Sequence, residues 1–154
     1  MRRLQVSVIG SGVEHEVRAE EVGRLLAERG AVLVCGGRDE VMAAAARGAK
    51  AAGGTTIGIL PGESPADANE WIDHVIVTGM GHARNLAVAA SGDAVIAVGG
   101  KWGTLSEIAF ARILGRPVVV LDPGWEGDGE VNRASSPVEA VALALDLAAA
   151  ARSG

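Results

Sequence analysis

The segment at residues 98–108, VGGKWGTLSEI, places three glycines, a lysine and a glutamate at the start of an apolar helical pattern. Glycines let a backbone approach a ligand closely, and the free N–H groups at a helix start attract anions. A carboxylate behind such a loop can act on the bound ligand. The segment therefore suits a phosphate cradle with Glu107 as a catalytic group. The cradle residues are Gly99, Gly100, Lys101, Gly103 and Thr104.

Glu107 also has a purely structural interpretation. Thr104 and Glu107 have the spacing of a capping box, in which the threonine caps a helix and the glutamate hydrogen-bonds back to the threonine amide. The same spacing recurs at Ser136 and Glu139. The spacing alone leaves both roles of Glu107 open, and the glycine-rich approach favours a functional one.

Arg84 is expected in the first turn of a helix made mostly of small and apolar residues. A positive charge there meets the positive end of the helix dipole, which is unfavourable unless an anion is near. His82 could join such an anion site, although a lone histidine in a turn is more often a surface residue or a cap. Arg84 is therefore a candidate anion-binding residue.

Two earlier loops could also contact a phosphate or nucleotide. The first follows an apolar run and contains Gly10 and Ser11; the second contains Gly36, Gly37 and Arg38. The first loop lacks the third glycine of a dinucleotide-binding fingerprint, so NAD is not expected.

Three residues near the second loop are expected to have structural roles. Asp39 and Glu40 stand where the next helix begins, and an acidic side chain at a helix start stabilises the dipole while competing with a phosphate for the same amides. We expect Asp39 to cap that helix. Cys35 is expected in the core at a strand end, because no motif supplies a base for a thiolate.

The elements that must position these residues alternate along the chain. Val/Ile/Leu-rich runs predict strands at residues 5–9, 32–35, 56–60, 74–77, 94–98 and 118–121, and helical spacing predicts helices at 14–28, 41–52, 84–90, 105–114 and 137–150. This rhythm indicates an α/β fold, a doubly wound, mainly parallel Rossmann-like sheet with helices on both faces. We expect one domain over residues 1–154. Loops at residues 61–73 and 122–136 would border its ligand crevice.

Composition excludes several function classes. The net charge of −5 and the absence of basic clusters argue against binding nucleic acid. No apolar stretch is long enough to span a bilayer, and the single cysteine fits a reducing compartment, so we expect a cytoplasmic protein. His15, His74 and His82 lack paired metal-ligand spacing, and neither Lys50 nor Lys101 has a setting for a pyridoxal Schiff base. No metal or cofactor is therefore expected.

Nearly the whole chain resembles the LOG-like family, once widely labelled "lysine decarboxylase" and related to the Rossmann domains of DNA-processing proteins. The shared features are the Gly-Ser turn after the first strand, the GG…VM loop, the TIGIL strand, the arginine-bearing helix and the GTxxE motif. The resemblance implies hydrolysis of the N-glycosidic bond of a nucleoside 5′-monophosphate to base and ribose 5-phosphate. It assigns catalysis to Arg84 and Glu107, and matches the family's Gly-Thr pair to Gly103 and Thr104.

The chain departs from the family motif at several positions. The family's Pro-Gly-Gly becomes Gly99-Gly100-Lys101, the lysine after the arginine becomes Asn85, and glycines of the second loop give way to residues 38–40. The shortened chain also resembles molybdenum cofactor carrier proteins, which bind a phosphate-bearing pterin without needing turnover. The resemblance therefore implies a small phosphorylated ligand, either a nucleoside monophosphate or a pterin cofactor, with a nucleotide sensor as a further alternative. It also implies a homodimer or homotetramer.

Overall fold

The computed structural model describes residues 1–122 and 131–154, which form one seven-stranded sheet. The strands are β1 (Gln5–Ser11), β2 (Val32–Cys35), β3 (Thr56–Leu60), β4 (His74–Val77), β5 (Ala94–Gly99), β6 (Val118–Leu121) and β7 (Asn132–Ala134). Their order across the sheet is β4-β3-β2-β1-β5-β6-β7, and every neighbouring pair is parallel. The strand order thus reverses between β1 and β5.

Five α-helices cover the sheet: α1 (Glu16–Glu28), α2 (Val41–Ala51), α3 (Arg84–Ser91), α4 (Trp102–Ile113) and α5 (Pro137–Ser153). Buried side chains of α1, α2 and α5 form one apolar core with the sheet, and those of α3 and α4 form a second. The predicted doubly wound α/β fold is therefore confirmed. None of the helices in the described residues has the length and hydrophobicity needed to traverse a bilayer.

The predicted strands have apolar sequences, and all of them except the exposed edge strand β4 consist mainly of buried residues. All six predicted strands are present, with β1 and β5 extending beyond the predicted ends. The seventh strand lies in the segment predicted as the loop at residues 122–136. It is a short edge strand with a polar sequence, Asn-Arg-Ala, so it has none of the apolar pattern that marks the others. Residues 123–130 of that predicted loop lie outside the described residues.

Two predicted helix caps are wrong. Helix α4 begins at Trp102 after Lys101 at the N-cap position, so Thr104 lies inside the helix and does not cap it. Helix α2 has Glu40, not Asp39, at its N-cap position, and the Glu40 side chain makes no capping hydrogen bond. The cap at α5 is confirmed, since the Glu139 amide donates to Ser136 Oγ at 3.2 Å. The Glu139 carboxylate accepts from the neighbouring Ser135 amide instead of closing a box on Ser136.

Helices α1 and α2 approach each other through glycines. A Cβ on Gly23 would lie 1.9 Å from the carbonyl oxygen of Ala45, and a Cβ on Gly48 would lie 1.9 Å from that of Glu20. Neither distance is possible without moving a helix backbone. This close contact holds the two helices that follow the first two glycine loops.

We expect Gly23→Ala to lower the free energy of unfolding by about 1–3 kcal/mol, because the added methyl group forces α1 away from α2. Gly103→Ala is the matched control, since the nearest atom to its added Cβ, Asn85 Nδ2, is 3.8 Å away. That helical position should show no loss of stability. Urea unfolding of both variants tests the difference, and equal stabilities would contradict the close packing.

Candidate functional site

A cavity of about 380 Å³ opens at the carboxyl ends of β1 and β5. In parallel α/β sheets this position, where the strand order reverses, is the usual place for a ligand. The cavity brings together predicted site residues from four separate segments of the chain. They are Gly10, Ser11, Gly36, Arg38, Arg84, Lys101, Gly103, Thr104 and Glu107.

Three other glycines predicted to contact the ligand do not line this cavity: Gly37, Gly99 and Gly100. All three have positive φ angles, of 78°, 61° and 116° respectively. A Cβ on Gly99 would point at the ring of His15, only 2.2 Å from its Cδ2 atom, and one on Gly100 would meet the side chain of Thr104. These glycines therefore form the turns that carry the lining residues.

The cavity also includes residues that sequence reasoning did not select. His82, a weaker candidate from the sequence, and Asn85, a departure from the family motif, both line the cavity, together with Met42 and Pro61. A signal for Asn85 was available. It shares the buried face of α3 with Val88 and Ala89 at helical spacing, and a polar residue on such a face needs a partner.

Arg84 is held in a fixed position beside the second glycine loop. Its Nη1 donates to Asn85 Oδ1, and its Nη2 lies 3.5 Å from the carbonyl oxygen of Gly36. Its buried Nε has no hydrogen-bond partner among the described residues. Glycine at residue 36 leaves room for Arg84, because a Cβ there would lie 2.7 Å from Arg84 Nη2 and 2.6 Å from Met42 Sδ, and these side chains would have to move. Burial lowers the pKa of Arg84, and the attraction of Glu107 opposes that change.

A chain of hydrogen bonds connects Arg84 to the start of α4. Asn85 is only 3% exposed. Its Nδ2 donates to Ser106 Oγ at 3.2 Å, and the Ser106 hydroxyl donates to the carbonyl oxygen of Gly103 at 2.6 Å. The guanidinium and the first turn of α4 are therefore positioned by the same network.

Glu107 is 8% exposed and faces the cavity. Burial raises the pKa of its carboxyl group to about 8, and the positive charge of Arg84 only partly offsets that rise. Among the described residues no salt bridge joins Glu107 to Arg84, and no hydrogen bond joins its carboxyl group to the Thr104 amide. The capping-box interpretation of Glu107 is therefore wrong. At pH 7, which is below this pKa, the Glu107 carboxyl group is mostly protonated.

The charges around the cavity favour an anion. Arg38, Arg84 and Lys101 line it, and its carboxyl group is mostly neutral at pH 7. The first turn of α4 contains no acidic residue, so its free N–H groups add positive potential. The arrangement can hold a phosphate beside a group able to give and take a proton.

Comparison with known proteins gives the same architecture. The molybdenum cofactor carrier protein of Chlamydomonas reinhardtii superposes with a TM-score of 0.88 and 37% identity, covering 96% of this chain and 99% of that one. DNA processing protein A of Streptococcus pneumoniae, at 23% identity and a TM-score of 0.74, shares the fold.

An enzyme is also similar over part of its length. The cytokinin riboside 5′-monophosphate phosphoribohydrolase of Mycobacterium tuberculosis is 36% identical over 122 residues, which are 72% of this chain and 64% of the enzyme. This chain thus spans less than two thirds of that relative.

One family model accounts for nearly the whole sheet and its helices. The model of the SLOG cluster4 family matches residues 3–150, from the residues before β1 almost to the end of α5. The expected LOG-like resemblance is confirmed, and the chain belongs to the SLOG cluster4 family.

Proposed function

We propose that this protein binds a nucleoside 5′-monophosphate and hydrolyses its N-glycosidic bond, releasing the base and ribose 5-phosphate. The observation that supports this most is the buried carboxyl group of Glu107, with a pKa of about 8, facing the same cavity as Arg84. A group with a pKa near the working pH suits proton transfer in both directions. The similarity to the mycobacterial phosphoribohydrolase points to the same reaction class.

The phosphate of the ligand fits best at the start of α4. Lys101, Gly103 and Thr104 line the cavity there, and the helix dipole attracts negative charge. A cavity of about 380 Å³ has the size of a small-ligand site. This placement directs the sugar and base toward Glu107 and the second glycine loop.

Glu107 can complete the reaction without another acid. As the C1′–N bond breaks, its proton passes to the departing ring nitrogen, and the resulting carboxylate stabilises the cation-like sugar. A water molecule then adds to C1′ and returns a proton to Glu107. The net change is addition of one water across the glycosidic bond, with the enzyme restored.

Arg84 would bind the phosphate or the departing base. Asn85 and the Gly36 carbonyl already orient its guanidinium, so little side-chain freedom remains to be lost on binding. Its buried Nε has no hydrogen-bond partner within the described part of the chain, so it can donate to an oxygen of the ligand.

We expect Glu107→Gln to reduce base release from purine and pyrimidine nucleoside monophosphates by at least about 100-fold, because the amide cannot exchange the proton. Binding of the same nucleotides should change little. Glu70→Gln removes an exposed carboxylate outside the cavity and serves as the control. Chromatographic assay of free base tests this, and an unimpaired Glu107→Gln variant would refute the proposed role.

The pH dependence follows from the direction of the Glu107 shift. The active form carries the proton, so kcat/KM should be high below pH 8 and fall as pH rises through about 8. A rate that instead increases through this range would mean that the carboxylate, and not the acid, begins the reaction. Steady-state kinetics between pH 6 and 10, with buffers of matched ionic strength, distinguish the two.

A second candidate function is carriage of a molybdenum cofactor. It is favoured by the match to the algal carrier protein, which extends over 96% of this chain and 99% of the carrier. The same cations would hold the phosphate of the pterin, and Glu107 would have no chemical role.

If the protein is a carrier, Lys101→Ala should weaken retention of the molybdenum cofactor by about tenfold, because a phosphate contact is lost. Glu107→Gln should retain the cofactor as the unmodified protein does. Retention after gel filtration, measured as molybdenum per protein, tests this. Loss of the cofactor from the unmodified protein during gel filtration would exclude carriage, and equal retention by Lys101→Ala would exclude the phosphate contact.

A further inference from the structure

Glu40 has a backbone conformation that is unfavourable for its residue type. Its φ is 54° and its ψ is −122°, at the N-cap position of α2. Within the described residues only Asp122 shares a positive φ without being glycine. Residues with a Cβ rarely adopt this region, and such a conformation persists only where contacts with the surrounding structure impose it.

The side chain of Glu40 makes the contact that accompanies this conformation. The Gly12 amide donates to Glu40 Oε2 at 2.6 Å, across 28 positions of sequence. The hydrogen bond fastens the loop after β1 to the loop after β2. The Glu40 side chain makes no capping hydrogen bond to α2. The strained backbone instead places its carboxylate against the Gly12 amide.

Both fastened loops carry cavity-lining residues. Gly10 and Ser11 immediately precede Gly12, and Gly36 and Arg38 precede Glu40. We propose that Glu40 is a positioning residue for ligand binding, which holds these two loops at the separation that the ligand requires. The proposal rests on the proposed binding of a phosphorylated ligand, and it assigns a role to a residue that does not itself line the cavity.

The Glu40 carboxylate also accepts the hydrogen bond of the Gly12 amide, which could otherwise donate to an anion. With Gly12 N–H engaged by Glu40, and with Glu14 and Glu16 near the start of α1, the first loop is a poor phosphate site. The start of α4 has no such acidic residue in its first turn. Glu40 therefore also favours one orientation of the ligand, with its phosphate at α4.

Three substitutions at this position separate backbone strain from the contact. Glu40→Gln keeps an oxygen that can accept from Gly12, Glu40→Ala removes the contact but keeps the strain, and Glu40→Gly removes both. Asp39→Asn is the matched control, because it removes a neighbouring exposed negative charge. The probe is AMP, with inorganic phosphate as a second ligand, titrated by calorimetry alongside thermal unfolding.

We expect Glu40→Gln and Asp39→Asn to bind AMP within about threefold of the unmodified protein, and Glu40→Ala and Glu40→Gly to bind about tenfold more weakly. Glu40→Gly should nevertheless unfold at a higher temperature than Glu40→Ala, because glycine adopts the observed φ without strain. Weak binding by the more stable variant distinguishes positioning from general stability. Binding by Glu40→Gly within twofold of the unmodified protein overturns the proposal.

Amide exchange in the ligand-free protein tests the contact separately. The Gly12 amide should be protected in the unmodified protein and in Glu40→Gln, and should exchange faster in Glu40→Gly. Equal exchange in all of them overturns the contact itself. If the contact is present but the unmodified protein binds neither AMP nor phosphate, the proposed function fails and the positioning role fails with it.

Discussion

The close approach of β1 and β5 at Gly10 is the constraint on which the site depends. A Cβ on residue 10 would lie 1.9 Å from the carbonyl oxygen of Val98, so only glycine permits the two strands to pair to their ends. From this point the chain leaves β1 toward α1 on one face and leaves β5 toward α4 on the other. The cavity lies between the loop that follows β1 and the loop that follows β5. Residues of both loops therefore line it.

Burial and the positive charge of Arg84 have opposite effects on the pKa of Glu107. Burial alone favours the neutral form of a carboxyl group, whereas the positive charge of Arg84 favours the ionised form. Here burial is the stronger effect, because Arg84 is committed to Asn85 and Gly36 and does not pair directly with Glu107. A direct ion pair would have lowered the pKa and left a carboxylate unsuited to donate a proton.

The sequence was sufficient to predict the sheet but not every role within the site. Apolar runs identify buried strands, whereas the polar edge strand β7 has no such pattern. Glycine patterns located the loops, but they could not tell Gly36, which makes room for Arg84, from Gly99, whose missing side chain faces His15. Spacing also could not show that α4 begins at Trp102, which moves Glu107 from a capping position to the cavity. Such distinctions depend on contacts between segments distant in sequence.

A crystal structure of the Glu107→Gln variant with AMP would test the central claim most directly, because the substitution should preserve the ligand. We expect the phosphate at the start of α4, beside Lys101, Gly103 and Thr104, with the residue 107 amide facing the glycosidic bond. A nucleotide bound with its phosphate at the loop after β1, or bound outside this cavity, would contradict the account.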